Sequence, residues 1–268
     1  MENVTFKRKG FGEGLKSMLR VDLRRMRLSR TFYIIIAISL LIPIVMTVMM
    51  TMMDGTESID HMTGEVTVMK GPENAWQNIG TLPGGESMGG TEVFAMCNIN
   101  MAFMGVAVFV CLFVSDDFKS GFAKNIFTTR GGKVEYVISK TAVGFITGSL
   151  MLIAYLIGSL LGGAIAGLSF DLHGLGAHNI IFCILGKLAL MLVFVPIFTA
   201  ISVAAKERTW LSILASLGGG MLLFMTVSMI TPLDSGALNF LLSLAGGALF
   251  SVGLGAVSNI ILKKTRLV

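Results

Sequence analysis

Charged residues are scarce in this sequence. Lys, Arg, Asp and Glu make up 14% of its 268 residues, against ~25% in an average soluble domain. Hydrophobic residues reach 54%, and the mean hydropathy is +0.80. A soluble chain of this length would need far more polar surface, so the composition excludes the soluble class and predicts an all-α, polytopic membrane protein.

Cysteine is rare in this sequence, and the common catalytic motifs are absent. Cys97, Cys111 and Cys183 are odd in number and widely spaced, so they fit no disulfide framework or metal site. The sequence has no G-x-x-x-x-G-K-[ST] phosphate loop, no H-E-x-x-H and no G-x-S-x-G motif. We therefore expect no catalytic residue, no metal site and no cofactor on this chain. The apolar runs also contain no series of Asp, Glu and His that could couple transport to protons or sodium, and this disfavours a secondary transporter.

Long hydrophobic runs dominate what is present. A membrane-spanning helix needs ~20 mostly apolar residues. Six stretches meet this condition: Phe32–Met53, Val93–Val114, Thr141–Phe170, Asn179–Ala204, Trp210–Ile230 and Leu238–Leu262.

Lys and Arg alternate between the two sides of these spans. Residues 1–31 carry nine of them, 115–140 carry five, 205–209 carry two and the tail after Leu262 carries three. The acidic loop 54–92 carries one, and the other two loops carry none. Because basic loops stay inside, this pattern predicts a multi-pass membrane protein with both termini in the cytoplasm. The net charge of +5 is thus explained by orientation, without nucleic acid.

Residues 1–31 form the first predicted unit, a cytoplasmic amphipathic interface helix. Apolar residues recur at helical spacing in 11–30, and basic residues fall mostly on the other side. Residues 32–268 form the second unit, a six-helix transmembrane domain with the outer loop 54–92 and a cytoplasmic segment 115–140.

The segment 115–140 is charged, yet it lies between two apolar spans. Asp116 or Asp117 could cap the start of a short helix that Gly131-Gly132 ends. Phe118, Phe122 and Ile126 would then form an exposed apolar stripe, and a second helix, Lys133–Lys140, would lead into the third span. Such a stripe either lies on lipid or docks into a groove on a partner.

This segment resembles the cytoplasmic loop after span two in ABC-2-type ABC transporter permeases. The matching residues run from Asp117 to Phe127 and continue with Arg130, Lys133, Tyr136 and Lys140. Many relatives have Pro-x-Ser-Arg where this chain has Thr128-Thr129-Arg130-Gly131. It is therefore more similar to the small bacterial permeases linked to peptide or antibiotic export and to bacteriocin immunity than to carbohydrate exporters.

The resemblance implies that the segment is a coupling helix in the groove of a separate ATPase subunit. It implies as coupling residues Phe118, Gly121, Phe122, Lys124, Asn125, Ile126, Phe127 and Arg130. It further implies a second permease subunit, identical or homologous, and ATP and Mg²⁺ bound by the ATPase. The location that it implies is the bacterial plasma membrane. The cargo would be a hydrophobic or amphipathic peptide, antibiotic or lipid-like molecule. The alternative is a non-transporting sensor or immunity protein that binds an antimicrobial peptide.

Three polar residues in the spans are candidates for the substrate path: Asn98, Asn100 and Lys187. Other roles are open to each of them. The asparagines could hydrogen-bond between helices, and the Lys187 side chain could extend to the membrane surface or pair with an acid in a loop.

Overall fold

The computed structural model describes residues 10–59, 66–68, 70–80, 98–129, 132–172 and 174–264. Within these ranges the chain forms eight α-helices and one two-stranded hairpin. The helices are α1 (Phe11–Leu28), α2 (Arg30–Met52), α3 (Met101–Lys119), α4 (Phe122–Thr129), α5 (Lys133–Ile165), α6 (Ala177–Ala205), α7 (Thr209–Ile230) and α8 (Ala237–Lys264).

Five of these helices, α2, α3, α5, α6 and α8, are long and apolar enough to cross a membrane. This confirms a helical, multi-pass membrane protein. Helix α7 has 22 residues but is not among these five, and its apolar stretch within the described side chains is Thr209–Leu223. A sixth span, and the cytoplasmic position of the termini, stay predictions.

Helix α3 lies at the centre of the bundle, where it packs against α2, α5, α6 and α7. Helix α8 packs mainly along α6 and leaves large apolar residues such as Leu249 and Val252 exposed, as expected for a helix that faces lipid. Helix α5 is continuous from Lys133, so the predicted helix Lys133–Lys140 and the third span are one element.

Glycines allow α5 to approach its neighbours closely. A Cβ atom at Gly158 would collide with the backbone of Leu40, and one at Gly162 would lie 3.0 Å from the Cα of Ile44, both in α2. Gly144 and Gly148 meet α6 and α3 in the same way. These glycines, spaced four residues apart in two pairs, therefore mark helix contacts.

The two ends of the bundle differ in character. One end, here called the basic end, is formed by α1, α4, the turn 206–208 and the last turn of α8. The other end, here called the hairpin end, carries strands β1 (Glu57–Ile59) and β2 (Val66–Val68), paired antiparallel. It also carries a 3₁₀ turn, Ala75–Asn78, which packs against α5. The amide of Ala75 donates to the carbonyl of Ser169, in the segment that follows α5, at 3.0 Å.

Candidate functional site

Helix α4 is the element on which the predicted coupling residues converge, but it begins later than the sequence suggested. Asp116 and Asp117 lie in the last turns of α3 and cap no helix start. The chain turns at Gly121, whose φ of +71° suits glycine, and α4 starts at Phe122. Helix α3 can carry these acids because basic side chains of α1 and α5 pair with them, so the helix has no electrostatic reason to stop at Val114.

The apolar face of α4 points into the protein. Phe118 belongs to α3 and is buried, and Phe122, Ile126 and Phe127 are half-buried. The prediction of an exposed Phe118–Phe122–Ile126 stripe is therefore wrong. The exposed face of α4 is polar and is formed by Lys124, Asn125 and Thr128. Arg130 lies outside the described residues.

A buried group of charges lies next to α4, and we call it the charge network: Asp22, Arg25, Asp116, Asp117 and Lys140. Asp22, Asp117 and the Lys140 side chain are fully buried. The Lys140 ammonium lies 2.8 Å from Asp22 Oδ1 and 2.6 Å from Asp117 Oδ2. One lysine of α5 thus joins an acid of α1 to an acid of α3.

Arg25 completes the network at its rim. Its guanidinium pairs with Asp117 and lies 3.2 Å from Asp116 Oδ2. It also lies over the ring of Phe122, 4.4 Å from the ring centroid, a cation–π geometry. Burial lowers the pKa of Arg25, but the carboxylates of Asp117, Asp22 and Asp116 outweigh this and raise it. Arg25 therefore stays charged at every physiological pH.

Neutral groups add hydrogen bonds to the two buried carboxylates. Tyr136 donates to Asp117 Oδ2 at 2.9 Å, and Ser139 donates to Asp22 Oδ2 at 2.6 Å. The Lys140 ammonium also lies 4.3 Å from the ring centroid of Phe113. Buried charges are tolerated only when they are paired and hydrogen-bonded, and this group meets both conditions.

The network fastens three helices at one point and gives α4 a contact with it. Asp22 and Arg25 belong to α1, Asp117 to α3 and Lys140 to α5. Helix α4 reaches the network through Phe122 on Arg25, and α5 through Phe127, whose ring lies edge-on to Tyr136 at 5.2 Å. A displacement of α4 would therefore act on α1 and α5 together.

Sequence reasoning missed the network, although Asp22 gave a signal. Asp22 lies four residues after Met18 and four before Met26, on the apolar side of an otherwise basic helix. Met18 and Met26 are buried and α1 packs along α5. An acid in that stripe must find a partner inside the protein, and Lys140 is that partner.

Two of the three substrate-path candidates come together towards the hairpin end. Lys187 is 1% exposed, and its ammonium donates to Asn100 Oδ1 at 3.1 Å and to Thr231 Oγ1 at 3.0 Å. The side chain does not extend to the membrane surface, and no acid of the described ranges forms an ion pair with it. Asn98 is adjacent, since its side chain accepts from the amide of Asn100 at 2.9 Å.

Neither a metal site nor a known relative adds to this picture. Within the part of the chain that the structure describes, no group of three or more His, Cys, Asp or Glu side chains could hold a metal ion. The chain matches no family model, no curated protein and no solved structure. The basic end and the Lys187 site are therefore the features that bear on its function.

Proposed function

We propose that this chain is the membrane subunit of an ATP-driven exporter of the ABC-2 type. A separate ATPase, which would bind ATP and Mg²⁺, would dock at α4 and drive transport by ATP hydrolysis. The exporter would move a hydrophobic or amphipathic molecule, and a second permease subunit, identical or homologous, would complete the pathway.

One observation carries the proposal: α4 is a short amphipathic helix whose two faces serve different contacts. Its apolar face packs on Arg25 and Tyr136, and its polar face with Lys124 and Asn125 is exposed. A helix that only rested on the membrane surface would direct apolar residues towards lipid. The exposed polar face is better suited to a protein partner.

The charge network gives this helix a mechanical role. When ATP closes the ATPase dimer, the motion would displace α4 and, through Phe122, the Arg25 guanidinium. Because Arg25 is tied to Asp117 and Asp117 to Lys140, α1, α3 and α5 would move as one body. Packed elements with two arrangements convert such small shifts into a change of access.

The Lys187 site supplies the contact with cargo in this proposal. A buried ammonium with only neutral partners in the described ranges has unused capacity for an acidic or carbonyl group. Asn100 and Thr231 would position such a group beside Lys187. A polar point on an apolar path suits an amphipathic substrate.

Co-purification tests whether the chain binds an ATPase. The tagged chain, expressed together with the genes that flank its own, should elute in mild detergent with a soluble ATPase. A stable chain that never retains an ATPase would contradict the proposal and would favour the sensor or immunity role.

Labelling tests the side on which α4 lies. Ser120 is exposed in the turn before α4, so a Ser120→Cys variant lacking the three native cysteines should react with a membrane-impermeant maleimide only after the cells are opened. Reaction in intact cells would place α4 outside and exclude an ATPase at this end.

A further inference from the structure

An open apolar cleft lies between α5 and α8 near the basic end. Its volume is about 740 Å³, within the ~300–1,000 Å³ typical of ligand pockets. Apolar residues form most of its wall, including Val134, Ile138 and Phe145 on α5 and Val252 on α8. Gly255 of α8 lies in the wall, and a Cβ atom there would meet nothing within 4 Å.

One polar atom in the wall has no hydrogen-bond partner among the described residues. Asn259 of α8 lines the cleft, and its amide oxygen is buried with no hydrogen-bond partner among the described residues. An unpaired buried acceptor costs free energy unless a ligand supplies a donor. The occupant should therefore be mainly apolar and carry a hydroxyl or N–H group near one end.

Basic side chains surround the mouth of the cleft. Lys263 lies one turn beyond Asn259 on the same face of α8, and both Lys263 and Lys264 are exposed. Lys133 begins α5 next to the lining residue Val134, and its ammonium donates to the carbonyl of Leu262 at 3.0 Å. Lys133 and Lys263 thus lie near the end of the cleft at the basic end, with Lys264 next in the chain, and this charge is complementary to an anionic headgroup.

We propose that this cleft is a binding site for one anionic phospholipid with a hydroxylated headgroup, of the phosphatidylglycerol class. The acyl chains would occupy the apolar cleft between α5 and α8. The phosphate would lie near Lys263 and Lys264. The Asn259 side chain would rotate into the cleft so that its amide oxygen, buried in the free protein, accepts from a headgroup hydroxyl. Because α5 also carries Lys140 and begins beside α4, the bound lipid would fix the position of the same helix that the charge network fastens. The site is independent of the identity of any partner at α4.

Native mass spectrometry of the delipidated chain tests this site. Phosphatidylglycerol and phosphatidylcholine with identical acyl chains are titrated separately. Phosphatidylglycerol should bind once per chain and at least about tenfold more tightly, because each lysine near the headgroup adds to the attraction. Equal affinity for both lipids would overturn the proposal and leave only unspecific lipid contact.

Three variants locate the binding. The double variant Lys263→Gln/Lys264→Gln should lose about tenfold in affinity for phosphatidylglycerol, with little change for phosphatidylcholine. Its matched control, Lys119→Gln/Arg208→Gln, removes the same charge from exposed positions of the basic end and should bind like wild type. Ala256→Phe should fill the cleft and abolish the single tight site. Retention of that site in Ala256→Phe, or an equal loss in the control, would contradict the assignment.

Discussion

Two lysines lie deep in this bundle, and their surroundings could hardly differ more. Lys140, near the basic end, contacts two buried carboxylates, Asp22 and Asp117. Lys187, towards the hairpin end, contacts only the neutral oxygens of Asn100 and Thr231 among the described residues. Burial is complete at both positions, so it does not distinguish them.

The difference lies in what each charge holds in place. The charge of Lys140 is neutralised inside the protein by Asp22 and Asp117, and the two ion pairs join three helices. Such a site suits force transmission. The charge of Lys187 has no counter-ion in the described ranges, so its desolvation is not offset there by an ion pair. Natural chains keep such a residue in a membrane segment mainly where it serves a function.

The largest effect is expected from Lys140→Met. It leaves Asp22 and Asp117 buried without their common partner, which should lower the free energy of unfolding by about 3–5 kcal/mol. Thermal unfolding in detergent measures the loss. Lys124→Met, which removes an exposed lysine, is the control and should stay within about 0.5 kcal/mol of wild type. A change below about 1 kcal/mol in Lys140→Met would mean that the network does not join the helices.

Arg25→Gln should come next. It removes the guanidinium from Asp117, Asp116 and Phe122, but Lys140 still pairs with Asp117, so we expect a loss of about 1–3 kcal/mol. Arg25→Lys keeps the charge without the planar fork and should recover only part of this loss. Full recovery by lysine in thermal unfolding would show that charge alone matters at this position.

Lys187→Met sharpens the comparison, because the same substitution is made at the second lysine. It removes a desolvated charge together with two neutral hydrogen bonds, so the stability should change by less than about 1 kcal/mol. Transport should nevertheless fall, measured as cargo-stimulated ATP hydrolysis in proteoliposomes. A loss of stability equal to that of Lys140→Met would contradict the distinction between the two sites.

The smallest effect on stability is expected from Phe122→Leu. It removes the cation–π contact with Arg25, which is worth about 0.5–1 kcal/mol, and it keeps an apolar side chain on the inner face of α4. Cargo-stimulated ATP hydrolysis should fall well below wild type, because α4 loses its direct contact with the network. Phe182→Leu, which shortens a half-buried aromatic side chain early in α6 and away from the network, is the matched control. Equal stimulation in wild type and Phe122→Leu would remove α4 from the coupling path.

The sequence predicted the membrane class and most helices because hydrophobic run length and helical spacing are local properties. The end of α3 was misplaced because Asp116 and Asp117 look like a helix start when read locally. Both acids pair with Arg25, which lies 91 residues before Asp116 and 92 before Asp117, and Asp117 also pairs with Lys140. Such pairings are set by tertiary packing.

The Lys187 site shows the same limit. The sequence identified Asn100 and Lys187 as unusual, since each interrupts or borders an apolar span. It could not pair them, because α3 and α6 meet only in the folded bundle and their separation along the chain is 87 residues. Thr231 gave no signal at all, since a threonine at the end of an apolar helix is common.

The most direct test is whether an ATPase depends on the polar face of α4. The chain and its ATPase partner are co-purified and reconstituted, and ATP hydrolysis is measured for wild type, Lys124→Glu and Lys119→Glu. The second variant places the same charge change at the exposed end of α3. Our account predicts that Lys124→Glu loses the ATPase or its stimulation, while Lys119→Glu keeps both. An ATPase that binds and responds equally in all three would contradict docking at α4.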